Sequence, residues 1–344
     1  MPEWARPHAT ALAAGLTGAA LAALVGVPAG PLVGATLGVS LAALAGLAVA
    51  VPTRLRDAAF AAIGVSLGSG VDERILGQLA QWALSLAVLM AALVATMAVC
   101  CALLVRVFRL DPGTAVLSSA PGTMSNAIAL ALEGRGDATT VMVLQLIRLL
   151  VLVIAVPPIA AGLGGADVAA ATGPVMGWAP LLAVGAVALL VGAAGTRLGV
   201  PASFLLAGMI VSATGHAAGA VHGAAPHWLI FSAFAVTGAV LGTRMSRVDG
   251  PMARRSAAAG VSLVVVAVLV SLAFAWLAAA LTGLPFGQVW VAFAPGGVEA
   301  MAAIGLALDY DPAFVAVHHV ARIFALILIV PAFLALMAGS DPRT

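Results

Sequence analysis

Long apolar stretches joined by short polar ones organise this chain from end to end. Twelve apolar segments can be drawn, at 9–27, 32–51, 57–71, 78–105, 112–134, 138–160, 177–196, 202–220, 227–243, 256–282, 286–308 and 312–338. Runs of roughly 17–25 apolar residues are what a helix needs to cross a bilayer. The pattern therefore predicts an all-α polytopic membrane protein. Two segments carry a Pro-Gly pair in their interior, at "APGTMSN" (120–126) and "APGGVEA" (294–300). Pro removes a backbone donor and Gly loosens the chain, so both segments are expected to break.

The twelve segments divide six and six, and the halves match at a constant offset of 174. Gly64 and Gly68 match Gly238 and Gly242. Pro121-Gly122 matches Pro295-Gly296, Asp137 matches Asp311, and Arg148 matches Arg322. Val156-Pro157 matches Val330-Pro331. The "GVP" at 26–28 matches "GVP" at 199–201, one residue out of register. This is an internal duplication, with a first membrane repeat at 1–165 and a second at 174–340.

Charge decides how the repeats are oriented. The chain is 63% hydrophobic and 8% charged over 344 residues, so no polar stretch can build a sizeable soluble domain. All fifteen basic residues are Arg, and basic residues accumulate on the cytoplasmic side. If every segment crosses, the halves are parallel and thirteen Arg split six to seven between the sides. If each Pro-Gly segment instead enters and returns on one side, each half has five transmembrane helices plus one re-entrant hairpin. The halves are then inverted, twelve Arg lie inside, and only Arg74 lies outside. That bias favours inversion, with both termini cytoplasmic, in what the composition suggests is a bacterial inner membrane. The N-terminus "MPEWARPHAT" shows no convincing cleavage site and reads as a retained first helix. Inverted repeats with interrupted helices are a recurring plan of secondary transporters.

The candidate chemistry gathers at the breaks. A half-helix beginning after each Pro-Gly leaves free N–H groups and a positive dipole end, which suit an anion. Pro121, Gly122, Thr123, Ser125 and Asn126 form the first tip; Pro295, Gly296, Gly297 and Glu299 form the second. Arg148, with Gln145 one turn earlier, and Arg322, with His318 and His319 before it, sit mid-helix. Charge at that depth needs a cavity or a partner. Two roles fit these arginines: bidentate anion binding, or a structural link to hairpin carbonyls or to Glu299. Glu299 is either a proton or cation site or a buried ion-pair partner. Asp137 and Asp311 read as helix caps. Gly30, Gly34, Gly38 and the Gly64/Gly68 and Gly238/Gly242 pairs read as close helix contacts.

No metal or cofactor is expected. His216, His222 and His227 are spaced six and five apart, which does not fit a compact helical metal site. Adjacent Cys100 and Cys101 read as packed thiols. No basic domain exists for nucleic acid. The expected partners are a small solute such as a carboxylate, a coupling proton or sodium ion, and the lipid bilayer, with a homodimer left open.

The stretches "APGTMSNAIALALEGRGDATTVMVLQLIRLLVLVIAVP" and "APGGVEAMAAIGLALDYDPAFVAVHHVARIFALILIVP" resemble the duplicated unit of the AbrB-type membrane protein family. That unit has Pro-Gly-Gly, then Ser-Glu-Met, an Asp about ten residues on, and a Leu-Arg in a helix. Pro121, Gly122, Ser125, Asp137 and Arg148 match in the first half. Pro295, Gly296, Gly297, Met301, Asp311 and Arg322 match in the second. Thr123 replaces the second Gly, Asn126 the Glu, and Glu299 stands one position early. The resemblance implies a regulator of gene expression or an ammonia monooxygenase, the labels members carry, although the name is shared with an unrelated DNA-binding protein. The topology is also similar to that of inverted five-helix sodium symporters. Three functions stay open: a proton- or sodium-coupled carrier of an anionic or polar solute, a membrane sensor, and an oxidoreductase. The last needs a clustered ligand set for a redox metal, which the sequence does not display. The inverted arrangement predicts that Arg135→Cys and Asp309→Cys variants react with a membrane-impermeant thiol reagent from opposite sides. Labelling of both from one side would refute it.

Overall fold

The computed structural model describes residues 5–69, 75–121, 124–163, 174–248 and 250–338. Within them run α1 (Arg6–Leu24), α2 (Gly30–Leu44), α3 (Thr53–Ser69), α4 (Ile75–Arg106), α5 (Pro112–Ser119), α6 (Met124–Leu130) and α7 (Ala138–Gly162). Then come α8 (Trp178–Arg197), α9 (Ser203–Ala217), α10 (His227–Thr243), α11 (Gly250–Thr282), α12 (Phe286–Phe293), α13 (Val298–Ala307) and α14 (Pro312–Ala338). Shifted by 174, the bounds of α3 become those of α10, and those of α5 become those of α12. The duplication read in the residues recurs in the order and length of the elements. Gly122, Thr123 and Arg74 lie outside the described residues, and the side chain of Ser125 does too.

Among the described residues, seven helices are long and apolar enough to cross a membrane, including α1, α7 and α8. Helices α2 and α9 are shorter, at 15 residues each. At 1.5 Å per residue each spans about 22 Å, less than the ~30 Å of hydrocarbon. The apolar segments 32–51 and 202–220 predict longer spans. Glycine explains the difference. Gly46 (φ 82°) and Gly219 (φ 67°) take left-handed conformations. Leu47 N–H bonds to Ala42 O at 3.1 Å, and Ala220 N–H to Gly215 O at 3.0 Å. Both helices thus close on a glycine C-terminal motif, and the apolar residues beyond are not helical.

Small residues set the packing. A Cβ on Gly64 would stand 2.1 Å from Leu205 O, and one on Gly68 2.3 Å from Met209 O. Likewise Gly238 meets Leu32 O at 2.3 Å and Gly242 meets Thr36 O at 2.8 Å. Backbones approach this closely only without a side chain between them. The order of these contacts shows that α3 and α9 run in the same direction, as do α2 and α10. Gly18 faces Gly34 while Ala14 faces Gly38, so α1 and α2 run antiparallel. The α3–α9 and α2–α10 pairs therefore each join one helix from each half of the chain, while the α1–α2 pair lies within the first half. A second group packs α4, α5, α7, α11, α12 and α14 together, around buried side chains that include Trp290, Phe314 and Leu152.

The Pro-Gly segments are chain reversals. Helices α5 and α12 have eight residues each, about 12 Å of rise, so neither can cross alone. Asp111 accepts the Thr114 N–H at 2.9 Å and caps α5. The chain then breaks, resumes as α6, and returns beside its starting point, where Asp137 N–H donates to Thr114 Oγ1 at 2.7 Å. In the second half Asp311 N–H donates to Gln288 Oε1 at 3.1 Å, and Gln288 is the counterpart of Thr114. Asp137 accepts from Thr139 and Thr140 N–H, Asp311 from Ala313 and Phe314 N–H. Both are helix caps, as their positions predict. The Thr140 hydroxyl is the chief reason the Asp137 carboxyl is held below its ordinary pKa. Burial pushes Asp311 the other way, against its two N–H donors. The glycine contacts give a direct check. Gly64→Ala should destabilise the detergent-solubilised protein by about 1–3 kcal/mol, the usual cost of overpacking. Gly185→Ala, where a Cβ meets nothing within 4 Å, should leave the unfolding midpoint unchanged or raise it.

Candidate functional site

Each hairpin is held by the arginine of the helix that follows it. Arg148 on α7 donates to Ala120 O at 2.9 Å and Ser118 O at 3.5 Å. Gln145 donates to Leu117 O at 2.9 Å and Ala120 O at 3.1 Å, and its own oxygen accepts from Arg148. Arg322 on α14 donates to Ala294 O at 2.6 Å and to Gly296 O. These are the carbonyls at the ends of α5 and α12, left without intrahelical partners and carrying the negative end of the helix dipole. The equivalent sequence separations, 28 residues in both halves, put the cation at the same carbonyl each time. Of the two roles open for these arginines, the link to hairpin carbonyls is formed. Arg322 reaches those carbonyls and not Glu299.

Both arginines are buried, Arg322 completely. Among the described residues neither has a carboxylate within ion-pair distance; the ion pair found there is Arg56–Asp57. The charge of Arg148 acts on Arg322, so two like charges lie deep in an apolar protein. Among the described residues Arg322 Nε has no hydrogen-bond partner.

Arg148 faces a cavity of about 520 Å³. Its lining gathers seven of the residues singled out from the sequence: Asn126, Gln145, Arg148, Pro295, Gly296, Gly297 and Glu299. Gly297 is the N-cap of α13, so the free N–H groups of the first turn open on this space. The remaining candidates lie elsewhere. Pro121 is buried at the first break. His318 sits between Phe314 O and Ser85 Oγ, both at 2.8 Å, and His319 bonds to Val291 O at 3.0 Å. The histidines and Arg322 do not line the cavity; they brace α14 against α4 and α12. His319 is the counterpart of Gln145, and each ties its helix to the preceding hairpin.

The other wall comes from residues the sequence did not nominate. Gly199, Pro201 and Ala202, from the turn between α8 and α9, line the cavity with Arg244, Leu149, Ile323, Phe324 and Ile327. One signal for the turn was present. "GVP" occurs in both halves, and Ala29 and Ala202 after it both take positive φ (53° and 49°), a conformation costly for a residue with a Cβ. Arg244 gave no such signal, because it belongs to a cluster of surface arginines. Among the described residues, no three His, Cys, Asp or Glu gather as a metal-binding group.

The pattern of the family described as "Transition state regulatory protein AbrB" matches residues 32–338, nearly the whole chain. The chain belongs to the AbrB family. It is 25% identical over 292 residues to a protein of Escherichia coli (strain K12) named "Putative regulator AbrB", covering 83% of each chain. It is 26% identical over 306 residues to "Uncharacterized protein YhjN" of Bacillus subtilis (strain 168), covering 80% of this chain and 76% of that one. The AbrB pattern thus spans both hairpins and both arginines of this protein.

The link between arginine and hairpin predicts an asymmetric response to substitution. Arg322→Leu removes the Arg322 donor to the buried Gly296 carbonyl and leaves the Ala294 carbonyl with the Gly296 N–H alone, at about 1–3 kcal/mol for an unsatisfied buried group, and should lower the unfolding midpoint markedly. Arg322→Lys keeps the charge but lacks the planar fork, and should fall between the two. Equal stability of all three forms would mean that the link holds nothing.

Proposed function

We propose that this AbrB-family membrane protein is a secondary carrier for a small anionic solute, coupled to a proton or sodium gradient. The observation that carries the reading is Arg148. It is a buried cation with no carboxylate partner among the described residues, and it faces a cavity that the first turn of α13 also enters. A site of this kind compensates an anion with a guanidinium and free backbone donors. Its volume lies within the range of small-molecule pockets. In this reading the hairpins are re-entrant, and the solute sits between their tips.

Two facts support inverted repeats, the arrangement on which alternating access depends. Helix α3 is antiparallel to its predecessor in any two-span hairpin, yet it runs parallel to α9, the counterpart of α2. The start of α3 (Thr53, Arg56) and the end of α10 (Thr243, Ser246, Arg247) also line one cavity, although α10 is the counterpart of α3. Parallel repeats would put those ends on opposite sides.

A second reading has a specific finding behind it. The Escherichia coli relative is named as a regulator, and the same cavity in a non-transporting protein would make it a solute sensor. The decisive experiment is uptake of organic acids into proteoliposomes with and without an imposed proton or sodium gradient. A carrier shows gradient-dependent accumulation, reduced at least about tenfold in Arg148→Ala, as expected for losing a charged hydrogen-bonding partner of the solute. Saturable binding without accumulation across the organic acids would instead favour the sensor. Accumulation unchanged in Arg148→Ala would remove this residue from the mechanism.

A further inference from the structure

A second cavity, of about 670 Å³, lies beside the first. It carries more charged side chains than the first. Arg56, Asp57, Arg244 and Arg247 line it together with Thr243 and Ser246 hydroxyls. Arg56 is committed to Asp57, which it meets through two donors at 2.9 and 2.7 Å. Arg244 and Arg247 outnumber the one other carboxylate in the lining, Glu299, so this space keeps a net positive charge. Three residues line both cavities: Ala202, Arg244 and Glu299. The two spaces therefore meet at one charged pair, backed by the strained turn that holds Ala202.

Arg244 and Glu299 act on each other electrostatically, yet no direct ion pair within 4 Å forms between them. Both are half-buried. They stand on helices from the same half of the chain, Arg244 at the end of α10 and Glu299 in the first turn of α13. An opposed pair that faces across a passage without closing it has a specific property. An incoming anion can take the place of the Glu299 carboxylate beside Arg244, whereas a cation meets Arg244 and Arg247 with no unpaired acid but Glu299.

We infer that Arg244 and Glu299 form a charge-selective gate between a basic vestibule and the inner cavity, admitting small carboxylates or similarly compact anions and turning back cations. Arg244 attracts the solute; Glu299 is the internal counter-ion that the solute displaces. The inference rests on reading the inner cavity as the solute site, but it concerns access and does not require translocation. A basic, confined entrance raises the local concentration of an anion by about 10–1,000-fold.

The test uses thiol reagents of opposite charge on the full-length protein in liposomes. Asn126→Cys places a thiol in the lining of the inner cavity. Native Cys100 and Cys101 are buried, and the parent chain supplies the background. The probes are a methanethiosulfonate carrying a sulfonate and one carrying a trimethylammonium group, each normalised to its rate with a free thiol. The gate predicts that the sulfonate reagent reacts with Asn126→Cys at least about tenfold faster. Adding Glu299→Gln should widen the preference. Adding Arg244→Gln should bring it near parity, while Arg244→Lys keeps it. Equal rates at Asn126→Cys, or a preference unmoved by either Glu299→Gln or Arg244→Gln, overturns the gate. Glu299→Gln decides the matter even if the arginine variant does not fold. The outcomes also separate this idea from the carrier. Charge preference without gradient-driven uptake of organic acids leaves the gate and removes the carrier. Uptake without charge preference does the reverse.

Discussion

Two buried arginines bonded to broken-helix carbonyls are the constraint on which this architecture depends. A helix that stops within an apolar interior exposes carbonyls that neither lipid nor apolar neighbours can satisfy. Helices α5 and α12 stop after eight residues each. Arg148 and Arg322 supply the missing donors from the next helix. The guanidinium suits the task because its planar fork reaches two acceptors at once and its charge complements the helix C-terminus. Without this link the hairpins would have to unravel or retreat toward water.

The same link makes the interior chemically active. Carbonyl oxygens satisfy the donors of Arg148 but do not neutralise its charge. A cation compensated only by dipoles, beside a cavity, is prepared for an anion. One side chain thus has two environments: it holds the hairpin carbonyls and it lines the cavity. Arg322 has the first environment without the second, being sealed against α12. The duplicated halves have diverged here. Gln145 and Asn126 open onto the cavity in the first half, while His319 closes the corresponding position in the second.

Small residues explain how the two halves interlock. Gly64 and Gly68 admit α9, and Gly238 and Gly242 admit α2. The chain is duplicated in order, yet the α3–α9 and α2–α10 pairs each take one member from either half. The turn at Gly199–Ala202 is carried to the hairpin tips by this exchange, so one wall of the cavity belongs to α8–α9 and the other to α7, α13 and α14. The two cavities share Arg244, at the end of α10, and Glu299, in the first turn of α13.

Much of this was legible in the residues. Segment lengths, the 174-residue duplication, the breaks at Pro121 and Pro295, the Asp137 and Asp311 caps and the glycine contacts are local properties. They follow from hydropathy, proline and glycine stereochemistry, and capping chemistry. The lengths of α2 and α9 were less legible, because glycine closure ends a helix inside an apolar run that hydropathy alone extends. The partners of Arg148 and Arg322 were open in the sequence between hairpin carbonyls, solute and Glu299. Only the tertiary structure could choose, since a guanidinium takes whichever acceptors packing brings within 3 Å. The placement of Arg244 was illegible for the same reason. A charged residue at a helix end looks the same whether it faces bulk water or a half-buried carboxylate, and distance in the chain does not say which.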